Sequence, residues 1–179
     1  MKNVLLVFLL LCFSTTFAQE KLMTKNGKIT FEASVPSFEE VKAKNENVTC
    51  ILNTKTGEIA SLALIKGFKF QIALMEEHFN ENYMESTRFP KATFKGTVKN
   101  FNIKELTATA KEYAINGKLE MHGKSKDIST TAKIKKTDKG VEIETNFSVN
   151  ASDFDISIPS VVKNKVSNKI NIANVFVLK

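Results

Sequence analysis

The feature that most constrains the fold of this chain is an alternation of apolar and polar residues with a period of two. The alternation recurs in runs at 29–35, 48–52, 59–65, 68–72, 92–98, 113–121, 128–134, 141–149 and 169–178. Successive side chains of a β-strand point to opposite faces, so this period predicts strands that are buried on one face only. Short polar segments at 54–57, 122–125 and 137–140 separate several runs and predict hairpins.

About eight antiparallel strands with one apolar face each must close or stack to bury those faces. One helical pattern interrupts them: Ile72, Met75, Phe79 and Tyr83 fall on one face of a predicted helix that Pro90 ends. The simplest solution is an all-β fold, an antiparallel barrel capped by this amphipathic helix. A two-sheet sandwich stays open as the alternative.

Two smaller patterns lead to further expectations. Ser37-Phe38-Glu39-Glu40 matches a capping box, which predicts a short turn of helix. Gly96 and Gly117 fall on the inward parity of their strands, where a glycine has no side chain to pack. A bulge and space for a ligand along the inner wall are the two explanations that the sequence leaves open.

Residues 1–18 are typical of a secretory signal peptide. Lys2 precedes an unbroken apolar run at 4–13, and Thr16-Phe17-Ala18 supplies a small-residue cleavage site before Gln19. The apolar run is too short for a stable membrane span. We therefore expect a periplasmic or secreted protein whose single domain covers 19–179.

The charge pattern argues against a nucleic-acid-binding protein. The net charge is +7, but among the 26 basic residues only Arg88 is an arginine, the side chain that most often reads bases. The lysines occupy alternating strand positions, as expected for a solvated face. A net positive charge also favours weak contact with acidic membrane surfaces.

The sequence contains no recognisable catalytic or metal-binding constellation. His78 and His122 are the only histidines, and Cys50 is the only cysteine after residue 18, a poor ligand set for zinc. Asp153 and Asp155 would share one face of a strand, where they are either turn acids or a cation site. Glycine-rich phosphate loops and nucleophile elbows are absent. We therefore predict a binding protein without cofactor, metal or catalytic residues.

Three segments carry a resemblance to a known family. "MEEHFNENYMESTRFPKATFKG", "YAINGKLEMHGKSKDISTTAKI" and "FSVNASDFDISIP" resemble, in order and spacing, the YceI-like family over roughly residues 29–178. The resemblance implies a lipocalin-like barrel with a helical cap, export to the periplasm, and an apolar tunnel that in some members holds polyisoprenoid chains. Asp155 departs from the pattern, since many relatives have glycine there, and this leaves the local backbone in question.

The resulting hypothesis is an exported protein that holds a long apolar lipid, such as a polyisoprenoid or quinone, inside the barrel. An enzyme acting on small lipids or acyl groups, and a solid-core structural or interaction protein, are the alternatives. Expected partners are the lipid and, in addition, a second copy of the chain as a homodimer. The candidate ligand-binding residues are Phe31, Phe68, Phe70, Met75, His78, Phe79, Tyr83, Phe94, Leu119 and Phe147.

Overall fold

The structure, a computed structural model, describes residues 20–179, so the signal peptide expected at 1–18 lies outside the described residues. Strands fill most of this part of the chain. They are β1 Lys21–Ser34, β2 Lys42–Asn53, β3 Glu58–Leu64, β4 Lys69–Phe70, β5 Lys91–Val98, β6 Lys111–Met121, β7 Lys124–Thr137, β8 Gly140–Asn150 and β9 Val166–Leu178. Within residues 20–179, one helix, α1, spans Ala73–His78 and continues as a π-helical turn over Phe79–Tyr83. Short 3₁₀ turns lie at Ile65–Gly67, Ile103–Glu105, Ala151–Phe154 and Ser160–Val162.

The strands close into a barrel. They form one antiparallel sheet in the order β1-β9-β8-β7-β6-β5-β3-β2-β4, and β1 also pairs with β2. β4 pairs with β2 beyond the end of β3, so the other eight strands make up the closed ring. Closure removes the exposed sheet edges that an open arrangement would leave. The barrel predicted from the alternation is confirmed, and the two-sheet sandwich is excluded.

The two ends of the barrel differ. The segments 35–41, 65–90, 122–123 and 151–165 connect strands at one end, which we call the mouth end, and α1 lies there. The turns at 54–57 and 138–139 and the segment 99–110 lie at the opposite, floor end. There Met23 exchanges two backbone hydrogen bonds with Lys179, at 2.9 and 3.0 Å. Within residues 20–179, no helix combines the length and apolar character that a membrane span requires.

The floor half of the barrel is solidly packed. Its inward side chains form one apolar cluster, which includes Val48, Cys50, Leu52, Val98, Leu106, Tyr113, Ile134, Val141 and Leu178. Cys50 is fully buried, and burial raises the pKa of its thiol to about 12. It therefore acts as a small apolar core residue, as its place in the alternation predicts.

Three local predictions are wrong, each for a backbone reason. Residues after Val35 form a turn rather than a capped helix, because Ser37 takes a positive φ of 71°. The predicted helix does not reach Pro90 but ends at Tyr83, and Glu85 has a φ of 43°. The expected strand at 68–72 is reduced to β4, since α1 begins at Ala73.

Candidate functional site

The mouth half of the barrel contains an apolar cavity of about 480 Å³. Its lining comes from all nine strands except β2, and from α1, the π-helical turn and the loops of the mouth end. The few polar side chains in its lining are Glu39, Ser61, His78, Tyr83, Thr93, Thr130, Thr145, Lys165 and Asn174. Of these, Glu39, His78 and Lys165 are exposed to solvent, which places the opening at the mouth end.

All ten sequence-predicted residues lie in this lining. Phe31, Phe94 and Phe147 face inward on their strands yet are only half-buried, because the cavity in front of them is accessible. Leu119 is buried in the wall beside them. The structure therefore brings the ten residues together around one space, and their role in binding a ligand stays a prediction.

Four phenylalanine rings pack together where α1 meets the barrel. The Phe79 ring stacks on Phe31 with ring centroids 5.3 Å apart, and lies 5.2 Å from Phe70 and 5.9 Å from Phe68. Phe31 also lies 5.4 Å from Phe68. These rings come from β1, the β4 segment and the π-helical turn, so the cluster joins the mouth-end elements to the wall of the cavity.

The helical segment presents Met75, His78, Phe79 and Tyr83 to the cavity. The π-helical turn widens the helix at Phe79, whose carbonyl accepts a hydrogen bond from Met84 N–H at 2.8 Å. Such turns inside α-helices are rare and are often found at functional sites. Phe79 and Tyr83, at the two ends of this turn, both line the cavity.

Glu76 fastens the start of this segment to β4. Its carboxylate pairs with the Lys69 ammonium and accepts the backbone N–H of Phe70 at 3.2 Å. The hydrogen bond from Lys69 is the main reason that the pKa of Glu76 lies below its ordinary value.

Neither explanation of Gly96 and Gly117 from the sequence is correct. The two glycines pair across β5 and β6, and neither has a positive φ or lies at a register shift, so there is no bulge. They do not line the cavity either, because the Phe94 ring covers both. A Cβ on Gly96 would lie 2.8 Å from Phe94 Cζ, and one on Gly117 would lie 2.5 Å from the same atom. The glycines make room for an aromatic ring, not for a ligand.

His122 has a structural role, as its hairpin position predicts. Its Nδ1 donates to the Phe154 carbonyl at 2.8 Å, and its Nε2 lies 3.3 Å from Glu85 Oε1. The Phe89 ring packs on the imidazole with centroids 4.6 Å apart. His122 thus ties together three connecting segments of the mouth end, outside the cavity lining.

The acidic pair is not on a strand. Asp153 lies in the 3₁₀ turn at Ala151–Phe154 and pairs with Lys126, whereas Asp155 pairs with Lys124, both at 2.7 Å. Within the described residues, no group of three His, Cys, Asp or Glu side chains is placed to hold a metal ion. Asp155 takes a φ of 55°, a left-handed conformation that glycine adopts freely and aspartate tolerates. The departure from the family pattern therefore preserves the turn.

Sequence reasoning missed the loop contribution to the lining. Phe38, Ile158 and Val162 line the cavity from the β1–β2 and β8–β9 connections. Phe38 is 45% exposed at the rim. In the sequence, each of these residues is an apolar side chain in a mostly polar loop. A search for alternation with a period of two does not find such isolated residues. Inward residues of β9 were missed as well, among them Ile170, Ile172 and Phe176.

Comparison with known proteins agrees with this architecture. The model of the YceI-like domain family matches residues 15–177. A polyisoprenoid-binding domain from Saccharophagus degradans, implicated in plant cell wall breakdown, superposes with a TM-score of 0.78 at 12% identity, covering 89% of this chain and 98% of that one. At these identities the likeness is one of fold. A search of the curated proteins found no match.

Two further solved structures share the fold. Burkholderia cenocepacia BcnA superposes with a TM-score of 0.70 at 12% identity, covering 86% of this chain and 96% of its own. The Campylobacter jejuni YceI protein gives a TM-score of 0.62 at 19% identity, with 81% and 87% of the two chains covered.

Proposed function

This chain belongs to the YceI-like family, and from that premise we propose that it is a binding protein that holds one long apolar lipid, such as a polyisoprenoid or quinone, in its barrel. The observation that carries the proposal is the apolar cavity of about 480 Å³ in the mouth half. A similar fold in Saccharophagus degradans is described as polyisoprenoid-binding, which supports the ligand class.

The proposed binding is driven by burial of the lipid chain. Each methylene group moved from water into apolar surroundings contributes about 0.8 kcal/mol, before the cost of immobilising the chain. The phenylalanine cluster and the aliphatic side chains of the wall supply those surroundings. A polar head group would lie at the mouth, within reach of His78, Tyr83 and Lys165.

The proposal is of binding without catalysis. The Cys50 thiol is buried in the floor half with a raised pKa, and His122 is held by Phe154 and Glu85 outside the cavity. Neither side chain is therefore positioned to act on a lipid in the barrel. The ionisable Glu39, His78 and Lys165 side chains are exposed at the mouth, and the rest of the wall is apolar with a few hydroxyl and amide groups. Such a wall suits retention of a chain rather than acid–base chemistry.

Native mass spectrometry of protein purified from its own host tests the proposal. We expect the folded protein to carry a lipid that organic extraction removes, and the extracted protein to bind all-trans-retinol, a fluorescent isoprenoid alcohol. A protein that carries no lipid and leaves retinol fluorescence unchanged would contradict the proposal and favour a structural or interaction role.

We further propose that the chain is exported, to the periplasm or beyond the cell, with cleavage before Gln19. N-terminal sequencing of the exported form checks this. A form that begins with an acylated Cys12, as in a lipoprotein, would contradict it. Weak contact with acidic membrane surfaces and a homodimer stay predictions.

A further inference from the structure

The barrel wall has a gap between β7 and β8. Their ladder pairs Ala132–Thr137 with Gly140–Thr145 and stops there, although β7 begins at Lys124 and β8 continues to Asn150. Both unpaired halves are hydrogen-bonded on their other sides, to β6 and β9. The two strands therefore separate toward the mouth end without a backbone ladder between them.

A second cavity, of about 490 Å³, lies in this gap. Its outer lining is polar and consists of Lys126, Asp127, Ser129, Asn146, Ser148, Asn150, Asp153 and Lys169. It shares four lining residues with the main cavity, namely Ile128, Thr130, Phe147 and Val149. At the gap the wall between solvent and the main cavity is therefore a single layer of side chains.

Side chains alone close the gap. Ile128 and Val149 are 8% and 6% exposed, and Phe147 is half-buried beside them. The Lys126–Asp153 ion pair spans the gap near the mouth, and Thr130 Oγ1 donates to the Asn146 carbonyl at 3.2 Å near the last ladder pair.

A second seam of the barrel, the line along which β2 and β3 pair, also has a ladder that stops short, but it is closed in a different way. The β2–β3 ladder covers Thr49–Leu52 and Ile59–Leu62, but β4 then continues the pairing along β2. The buried Asn45 side chain also donates to the Leu64 carbonyl at 3.0 Å. Opening that seam would break a backbone ladder, whereas opening the β7–β8 gap would break only side-chain contacts and the hydrogen bond from Thr130 to the Asn146 carbonyl.

We propose that the β7–β8 gap is a lateral opening through which a single apolar lipid chain enters and leaves the cavity. This inference rests on the proposed function. Rotation of Phe147, Ile128 and Val149 would connect the cavity to the surface at no cost in backbone hydrogen bonds, which are the expensive groups to leave unsatisfied. The polar outer lining would hold a hydrated head group during passage.

Cross-linking across the gap tests the proposal. Cysteines at Ser129 and Ser148, which face each other if the ladder register is continued, would be joined by a short bis-maleimide. The control joins cysteines at Lys133 and Glu144, a pair within the existing ladder of the same seam. Cys50 does not compete for the reagent, because burial raises its thiol pKa to about 12.

The measurement is the rate at which bound all-trans-retinol exchanges into vesicles, together with its equilibrium affinity. We expect the gap cross-link to slow exchange about tenfold or more, and the control cross-link to leave the rate unchanged. Equal exchange rates in both proteins would overturn the lateral opening and assign passage to the mouth. Failure to bind retinol before cross-linking, by protein that also carried no lipid when purified from its host, would instead overturn the proposed function itself.

A pair of charge variants tests the same point without cross-linking. Asp153→Asn removes the Lys126–Asp153 ion pair, one of two that join β7 to the turn after β8. Glu142→Gln removes the Lys135–Glu142 pair, which spans the laddered part of the same seam at 2.6 Å. We expect Asp153→Asn to speed retinol exchange about two- to fivefold, the range for a surface ion pair, and Glu142→Gln to leave it unchanged. Equal rates in the two variants would count against the opening.

Discussion

At the scale of single residues, aromatic rings determine which positions can change. The Phe94 ring lies over Gly96 and Gly117, and the Phe79 ring contacts three other phenylalanines. The first contact fills space for which the sequence left a bulge and a ligand as open explanations. The second places an element of the mouth end against the barrel wall.

Gly96→Ala should destabilise the protein. The added Cβ would lie 2.6 Å from the Asn116 carbonyl oxygen and 2.8 Å from Phe94 Cζ, so backbone as well as side chain would have to move. We expect a loss of about 1–3 kcal/mol in the free energy of unfolding, as for overpacked cores. Chemical denaturation measures it, with the exposed neighbour Lys95→Ala as control. An unchanged unfolding midpoint would contradict the packing described for Phe94.

Phe79→Asp should weaken lipid binding strongly. It places a carboxylate among Phe31, Phe68 and Phe70, where a charge has no compensating partner. We expect the affinity for all-trans-retinol to fall by at least about tenfold, measured by fluorescence titration of protein shown to be folded by circular dichroism. Leu74→Asp is the matched control, since Leu74 lies on the same helix but is 57% exposed. If folded Phe79→Asp bound retinol as tightly as the parent protein, the helix would not be part of the binding pocket.

At the scale of elements, side-chain hydrogen bonds attach the connecting segments of the mouth end to one another and to the strands. Glu76 fastens α1 to β4, and His122 joins the β6–β7 hairpin to the segments around Glu85 and Phe154. The strands could be predicted from their alternation because burial on one face imposes it. The mouth-end turns could not, because Ser37, Glu85 and Asp155 adopt positive φ values that ordinary propensities do not signal.

The attachment of α1 should loosen in acid. The pKa of Glu76 is lowered from 4.5, first by the Lys69 hydrogen bond, so the folded state favours its ionised form. The stabilisation is therefore complete above the ordinary carboxyl pKa and is lost as the pH falls through the lowered value. We expect amide hydrogen exchange in α1 to accelerate as the pH is lowered below about 4, after correction for intrinsic exchange. Glu76→Gln should remove this dependence, and its persistence in that variant would assign it to another group.

At the scale of the whole molecule, the barrel is solid at the floor and hollow at the mouth. In the sequence, the inward-facing positions of the two halves look alike. In the structure, however, Cys50 and Leu52 are packed at the floor, whereas Phe31 and Phe147 border the cavity. The closed barrel could therefore be predicted from the sequence, and the ten candidate residues lie around the cavity, but their part in binding stays a prediction. The level at which packing stops could not, because it depends on the register of every neighbouring strand.

Phe176 marks that level. It belongs to both the floor cluster and the cavity lining, and its ring lies where a Cβ on Gly27 would be, 2.4 Å from Cδ1. Phe176→Ala should deepen the cavity, lower the free energy of unfolding by about 3–5 kcal/mol and shift binding toward longer chains. Denaturation and competition of retinol with primary alcohols of increasing length measure both effects. Val175→Ala, on the outer face of the barrel, is the control and should change neither the free energy of unfolding nor the preferred chain length. If Phe176→Ala preferred the same alcohol length as the parent protein, Phe176 would not form the bottom of the cavity.

Because half of the barrel is hollow, the thermal stability of the protein should depend on which lipid it has bound. A ligand that binds only the folded state stabilises it by mass action, by about 2.7 kcal/mol when its free concentration is a hundredfold above Kd. A lipid that fills the cavity would thus behave as a removable part of the core. Two preparations of this one sequence, from hosts with different membrane lipids, would then melt at different temperatures and converge once both are delipidated.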